Sequence, residues 1–281
     1  MIKNKTQQVV TKQLASLVEQ ALVDEVSLSP KPGLVDALNN GAHSDMDLAL
    51  FIKSARALTP YFEQMAQAAW LQPISQTLRE TIAHIGRKAE QAMFKETNGI
   101  NTHKGAIWVM GLLTTVYAQR ISTGQSIQTD ELLKLVSHLA QFPDSRYQNK
   151  QLTHGEAVKQ RYRVNGAYEE AVLGYPHISL ALETYVKWQT ATSQQYQLQM
   201  LLTLMSSVTD TCVLHRSDQG TLIEMQRLAM SAGQTSLPNA SFTDLQKYCQ
   251  QKHISPGGSA DLLSASLLII AVNRQFYRGK N

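Results

Sequence analysis

Apolar residues in this chain recur at three- and four-residue steps, and no stretch alternates as a half-buried strand must. Val9, Val10, Leu14, Leu17, Val18, Leu22 and Val26 follow that spacing. So do Leu48, Ile52, Ala55, Leu58 and Phe62, and again Leu132, Leu135, Val136 and Leu139. Two runs, Ile107 to Tyr117 and Leu262 to Val272, are apolar nearly all round, which predicts helices at the centre of the molecule. Breakers separate the runs: Pro30 and Pro32, Pro73, Asn98-Gly99, Gly124, Pro143, Pro176, Gly220, Pro238, and Pro256-Gly257-Gly258. The pattern predicts an all-α fold of ten or more helices. There is no long linker, internal repeat or low-complexity tract, so residues 1–281 read as a single multi-helical globular domain.

Polar loops punctuated by glycine open directly into several of these helices. The clearest are Ser29-Pro30-Lys31-Pro32-Gly33, Asn98 to Gly105, and Ser255 to Asp261. A helix start presents unpaired N–H groups and partial positive charge, so several of them meeting at one place favour a polyanion. The expectation is one central site formed by loops at helix N-termini, taking nucleotide phosphates.

Charge narrows the partners. The chain has 26 Lys and Arg against 22 Asp and Glu, a net charge of +4, with no basic stripe interleaved with aromatics. Nucleic acid is therefore not expected as a partner. Cys212 and Cys249 lie far apart without metal-ligand or disulfide spacing. No apolar run reaches membrane-spanning length, and the first residues lack a signal-peptide core, so the expected location is cytoplasmic with no membrane partner.

Five segments carry candidate chemistry. In the first, Lys31 lies between two prolines and is expected to be presented from a stiff loop. Asp36, His43, Asp45 and Asp47 offer metal ligation or proton transfer, while Ser44 or Asp45 can cap the next helix. In the second, Thr102 is a candidate cap, and His103 and Lys104 oppose the helix dipole unless an anion lies nearby. The third places His154 and Glu156 two apart, suited to acid–base work or to an ordinary helix start. The fourth offers Asp210, His215 and Arg216, equally able to form a buried ion pair. The fifth sets Ser259 and Asp261 behind Gly257 and Gly258, where close backbone approach is open and Ser259 is a candidate cap. It is not a Walker A loop, having neither the Gly-Lys-Ser/Thr spacing nor a preceding strand.

Taken in order, SPKPGLVD with GAHSDMD, TNGINTHKGAI, THGE, DTCVLHR and SPGGSADLL resemble the triphosphoribosyl-dephospho-coenzyme-A synthase family from about residue 28 to 268. The resemblance implies a transferase that joins ATP to 3′-dephospho-CoA and releases adenine, ATP acting as the ribosyl donor. The product would pass to a transferase acting on the acyl carrier protein of malonate decarboxylase or citrate lyase. A homodimer is compatible with the sequence. Candidate phosphate contacts are Lys31, Lys104, Arg216 and Gly257-Gly258-Ser259. Mg²⁺ is expected as cofactor, with Asp36, Asp45, Asp210 and Asp261 as candidate ligands. A carboxylate would stabilise an oxocarbenium-like state, with Asp210 counted among the catalytic candidates. His43, His103, His154 and Glu156 are candidates for the base that takes the 2′-hydroxyl proton and the acid that assists adenine departure.

Two departures from the family pattern stand out. Cys212 and Ser217-Asp218-Gln219 replace the Asn and paired glycines that flank Val-Leu-His-Arg. Tyr168 stands where the pattern carries an Arg, removing a bidentate phosphate donor. A metal-dependent helical hydrolase of nucleotides or phosphoesters, and a non-catalytic nucleotide-binding module, are the competing readings.

Overall fold

The three- and four-residue spacing becomes thirteen α-helices, with no strand among the described residues. The computed structural model describes residues 2–125, 128–145 and 153–277. In chain order the first helices are α1 (Ile2–Ser27), α2 (Leu48–Ala69), α3 (Gln76–Glu96), α4 (Lys104–Ser122) and α5 (Thr129–Gln141). Four follow through the middle: α6 (His154–Tyr162), α7 (Ala167–Val172), α8 (Pro176–Trp188) and α9 (Ser193–Ser207). The last are α10 (Thr211–Arg216), α11 (Gln219–Ala232), α12 (Ala240–Lys252) and α13 (Gly257–Phe276).

The two all-apolar runs do lie at the centre. α4 packs against α1, α2, α3 and α5, whereas α13 packs against α1, α8, α9 and α4 itself. Residues 109–118 are buried without a break, as are 262–270, because a helix with neighbours on every side leaves no solvated face. The surrounding helices are amphipathic. α2 turns Ala55, Leu58, Phe62 and Met65 inward, although Pro60 sits within it. Near its start, α1 leaves Val9 55% exposed despite its place in the periodic pattern. Among the described residues no helix is long and apolar enough to cross a membrane.

Helix starts differ in detail from the sequence expectation. Asp47, not Ser44 or Asp45, caps α2 by accepting from Leu50 N at 2.8 Å. His103, not Thr102, occupies the cap position of α4, and it makes no side-chain capping bond there. Pro256 holds the cap position of α13, which leaves Ser259 inside the first turn. Pro256 has no side-chain acceptor, so the N–H groups of that first turn need a partner from elsewhere. Gly220 does not end a helix; it lies in the first turn of α11, capped by Asp218.

Candidate functional site

Asp210 supplies that partner. Its Oδ1 accepts from Cys212 N at 3.0 Å and Val213 N at 3.4 Å, capping α10. The same carboxylate reaches α13, accepting from Gly258 N at 3.3 Å, Ser259 N at 2.9 Å and Ser259 Oγ at 3.1 Å. One side chain therefore caps two helices. The glycines make the approach possible. A Cβ on Gly258 would stand 3.2 Å from Asp210 Oδ2, and one on Gly257 would stand 3.0 Å from Cys212 Sγ. Asp210 is fully buried, and that burial pushes its pKa up against the pull of the Ser259, Cys212 and Gly258 donors.

A second carboxylate joins α13 to α4. Asp261 accepts from Ala106 N, and its Oδ2 lies only 2.0 Å from the position of a Cβ on Gly105. Burial drives the Asp261 pKa well above the ordinary carboxylate range, and the neighbouring charges of Glu25 and Asp210 push the same way. The starts of α4, α10 and α13 are linked through the protein's own carboxylates. The N–H groups of Gly258 and Ser259, candidates for phosphate, are engaged by Asp210.

Lys31 points inward rather than being presented from its loop. It is 3% exposed, and its Nζ donates to Glu25 Oε1 at 2.5 Å and to the Glu25 carbonyl at 2.7 Å. Burial raises the Glu25 pKa and Lys31 draws it down, with burial the larger effect. Asp36 organises the same loop: its Oδ2 accepts from Lys31 N, and its Oδ1 from Leu38 N and Asn39 N. Gly33, at φ +72°, brings the loop against the chain between α12 and α13, where a Cβ would stand 2.3 Å from the Ile254 carbonyl.

The first and third segments each meet the fourth through an imidazole. His43 Nδ1 lies 3.2 Å from Arg216 Nη2 and 3.7 Å from Asp45 Oδ1. Arg can only donate, so Nδ1 is the acceptor and the neutral ring carries its proton on Nε2. Burial, then Arg216, lowers the His43 pKa, and Asp45 opposes them. Immediately before Arg216, His215 stacks on His154 with ring centroids 4.0 Å apart and planes at 15°. Burial, with His154 and Arg216 nearby, lowers the His215 pKa as well. Glu156 is the returning half of a capping box: its Oε2 accepts from Thr153 N at 2.7 Å while Thr153 Oγ1 accepts from Glu156 N.

The second segment contributes a buried imidazole and an exposed ammonium. His103 Nδ1 is 2.8 Å from Ser54 Oγ, which also meets Thr102 Oγ1 at 2.7 Å. Burial lowers the His103 pKa to about 3, so the ring is neutral throughout the physiological range. Lys104 Nζ lies 3.2 Å from Glu90 Oε2. Between the first and second loops runs an open cleft of about 470 Å³, lined by Asn40, Ser44, Asp45, Lys53 and Asn98 among others.

Every one of the five segments is thus tied to another by a direct contact. The carboxylates differ in what they have left to offer a metal. Asp210 and Asp36 have both oxygens occupied by N–H donors, a poor fit to a cation. Asp261 is partly exposed and accepts the Ala106 N–H, a better fit to an ion that takes one carboxylate together with substrate phosphates. Among the described residues no three His, Cys, Asp or Glu side chains are grouped to hold a metal by themselves. Sequence reasoning missed Glu25 and Ser54, which lie inside otherwise ordinary amphipathic helices. The pairing of His154 with His215 has no local mark in the sequence either, although both lie in polar segments.

The fold and these contacts define a helical protein whose polar loops gather, at helix starts, buried carboxylates together with imidazoles and cations. The family described as CitG: ATP:dephospho-CoA triphosphoribosyl transferase matches residues 11–279, and the chain belongs to it. A 2-(5''-triphosphoribosyl)-3'-dephosphocoenzyme-A synthase of Klebsiella pneumoniae is 40% identical over 264 residues, covering 91% of this chain and 93% of its own. A probable synthase of the same name from Pseudomonas fluorescens (strain Pf0-1) is 42% identical over 279 residues, covering 94% and 93%. Another, from Azotobacter vinelandii, is 39% identical over 269 residues. No solved structure matches the chain.

Proposed function

We propose that this chain transfers the triphosphoribosyl group of ATP to the 2′-hydroxyl of 3′-dephospho-CoA and releases adenine. The observation that carries this reading is the family match over residues 11–279. The N-glycosidic bond of ATP breaks with its electron pair leaving on adenine. A C1–O bond forms to the acceptor oxygen, and the hydroxyl proton is in balance with the one adenine gains.

The residues divide by what their surroundings permit. Asp261, the partly exposed carboxylate at the meeting of α4 and α13, is placed to stabilise positive charge developing on the ribose. Asp210 positions α10 and α13 around it. The His154–His215 pair, with the His215 pKa lowered, is the source of a neutral imidazole to take the acceptor proton. His43 presents an Nε2–H donor, and it joins Arg216 and Lys104 as hydrogen-bond donors for phosphate oxygens. Mg²⁺ would be held by Asp261 together with substrate phosphate oxygens and would supply neutralisation of the triphosphate charge. We place the reaction in the cytoplasm, with the product handed to a transferase acting on the acyl carrier protein of malonate decarboxylase or citrate lyase. Genes neighbouring this one distinguish those two ends.

Product analysis tests the reading. Incubation with ATP and 3′-dephospho-CoA should yield free adenine in an amount equal to acceptor consumed, and none without acceptor. Phosphate or AMP formed in place of adenine would show a hydrolase, and ATP binding without turnover a nucleotide-sensing module.

A further inference from the structure

Outside the five segments, Arg79 is a buried cation whose side chain makes no hydrogen bond or ion pair of its own among the described residues. Arg79 on α3 is 6% exposed, and its guanidinium carbon lies 4.9 Å from the centre of the Trp108 ring. Its Nε is buried without a hydrogen-bond partner, and among the described residues it makes no ion pair. The carboxylate nearest in effect, Asp144, is bonded at 2.5 Å to Arg87. Two guanidiniums therefore share one carboxylate. Burying an unpaired charge is costly, and a contact with an indole offsets only a part of that cost.

The platform is also held in place. Trp108 Nε1 donates to the Ala167 carbonyl at 3.2 Å, fixing the indole against the start of α7. Next along is Tyr168, 49% exposed and within electrostatic reach of Arg79, at the position where the related pattern has an Arg. Along the first half of α4, Lys104, Gly105 and Trp108 stay partly open while Ala106, Ile107, Val109 and Met110 are buried. That strip carries Asp261 at Gly105, and just over one helical turn, about 6 Å, separates Lys104 from Trp108.

We propose that Arg79, held against Trp108, is a phosphate-binding residue for one of the two nucleotide substrates. Its planar fork would donate to a diphosphate or triphosphate chain lying along the open strip of α4. The nature of the ligand rests on the transferase reading; the presence of a phosphate site does not.

Two measurements test it on Arg79→Gln and Arg79→Lys. Titration of the full chain with inorganic pyrophosphate should show affinity weakened by about 10- to 100-fold in Arg79→Gln, the loss of one charge-assisted interaction, and by less in Arg79→Lys. In the adenine-release assay, the KM for one substrate should rise by a similar factor while kcat changes little. The substrate whose KM moves identifies the phosphate chain bound. Pyrophosphate affinity and both KM values within about twofold of the unmodified protein would show that Arg79 only packs against the indole. Should Arg79→Gln not fold, Arg79→Lys decides alone, since it keeps the charge and loses the fork. An unmodified protein that releases no adenine counts against the transferase reading, and the pyrophosphate titration still judges Arg79.

Discussion

Asp210 and Ser259 share two hydrogen bonds through a single oxygen, Ser259 donating its amide at 2.9 Å and its hydroxyl at 3.1 Å. With the α10 amides on the other oxygen, this carboxylate does for two helices what a cap normally does for one. Asp210→Ala should therefore cost about 2–4 kcal/mol, two caps and a set of stranded N–H groups. Asp210→Asn, which keeps one acceptor oxygen, should lose roughly half as much. Urea unfolding of the two variants checks this; equal stability of Asp210→Ala and the unmodified chain would mean that α13 has another partner.

A methyl group at position 105 has nowhere to go. It would stand 2.0 Å from Asp261 Oδ2, so Gly105→Ala must move α4 or the Asp261 side chain. We expect a loss of about 1–3 kcal/mol. Removing the obstructing carboxylate in Gly105→Ala/Asp261→Ala should recover part of it, giving a coupling of roughly 1 kcal/mol or more. Adenine release should stay low in the double variant, since the carboxylate is gone. Strictly additive stabilities would sink the idea that these two positions compete for one space.

Lys31 and Glu25 form an ion pair closed off from solvent. Lys31→Met leaves Glu25 buried without its cation and should cost about 3–5 kcal/mol, whereas Lys31→Met/Glu25→Leu should cost less than that single change. Thermal unfolding of the singles and the double supplies the comparison. A double variant less stable than Lys31→Met would show that the pair contributes more than it costs to bury.

Two histidines give opposite pH dependence. His103 has a folded-state pKa lowered to about 3 from 6.5, so the unfolded chain binds the extra proton between those values. Stability contributed by the neutral ring is present above pH ~6.5 and declines as pH falls towards 3, by up to several kcal/mol. His177, whose Nδ1 lies 2.8 Å from Glu170 Oε2, has its pKa raised chiefly by that bond. Its contribution is complete below pH ~6.5 and fades as pH rises through the raised value; the pair is partly exposed, so the effect is small. Unfolding free energies at pH 5, 7 and 9 should show a flatter acid limb for His103→Asn and a flatter alkaline limb for His177→Gln. Parallel profiles for all three proteins would refute both assignments.

The helices were legible because burial imposes their spacing directly on the sequence, and α4 and α13 show this best: apolar on all sides, they had to be central. The segments that carry polar chemistry were legible as well, since glycine before an apolar run is a visible break. Their internal wiring was not. That Asp210 would serve α13 depends on how α10 is placed, and nothing within a window of neighbours specifies it. Lys31 between two prolines reads as a displayed cation, yet its partner Glu25 lies inside the preceding helix with no local mark. Arg79 looks like any polar residue on an amphipathic helix, and its contact with Trp108 of α4 exists only in the folded chain.

The capping of α13 by a residue of α10 also sets an order of events during synthesis. Ser259 is added to the chain 49 residues after Asp210, an interval of roughly 2–10 s at usual rates of elongation. Throughout that interval the Gly258 and Ser259 donors have not been made, and the carboxylate has only the α10 amides to accept from. The bond that joins α10 to α13 can therefore form only after the start of α13 has been made.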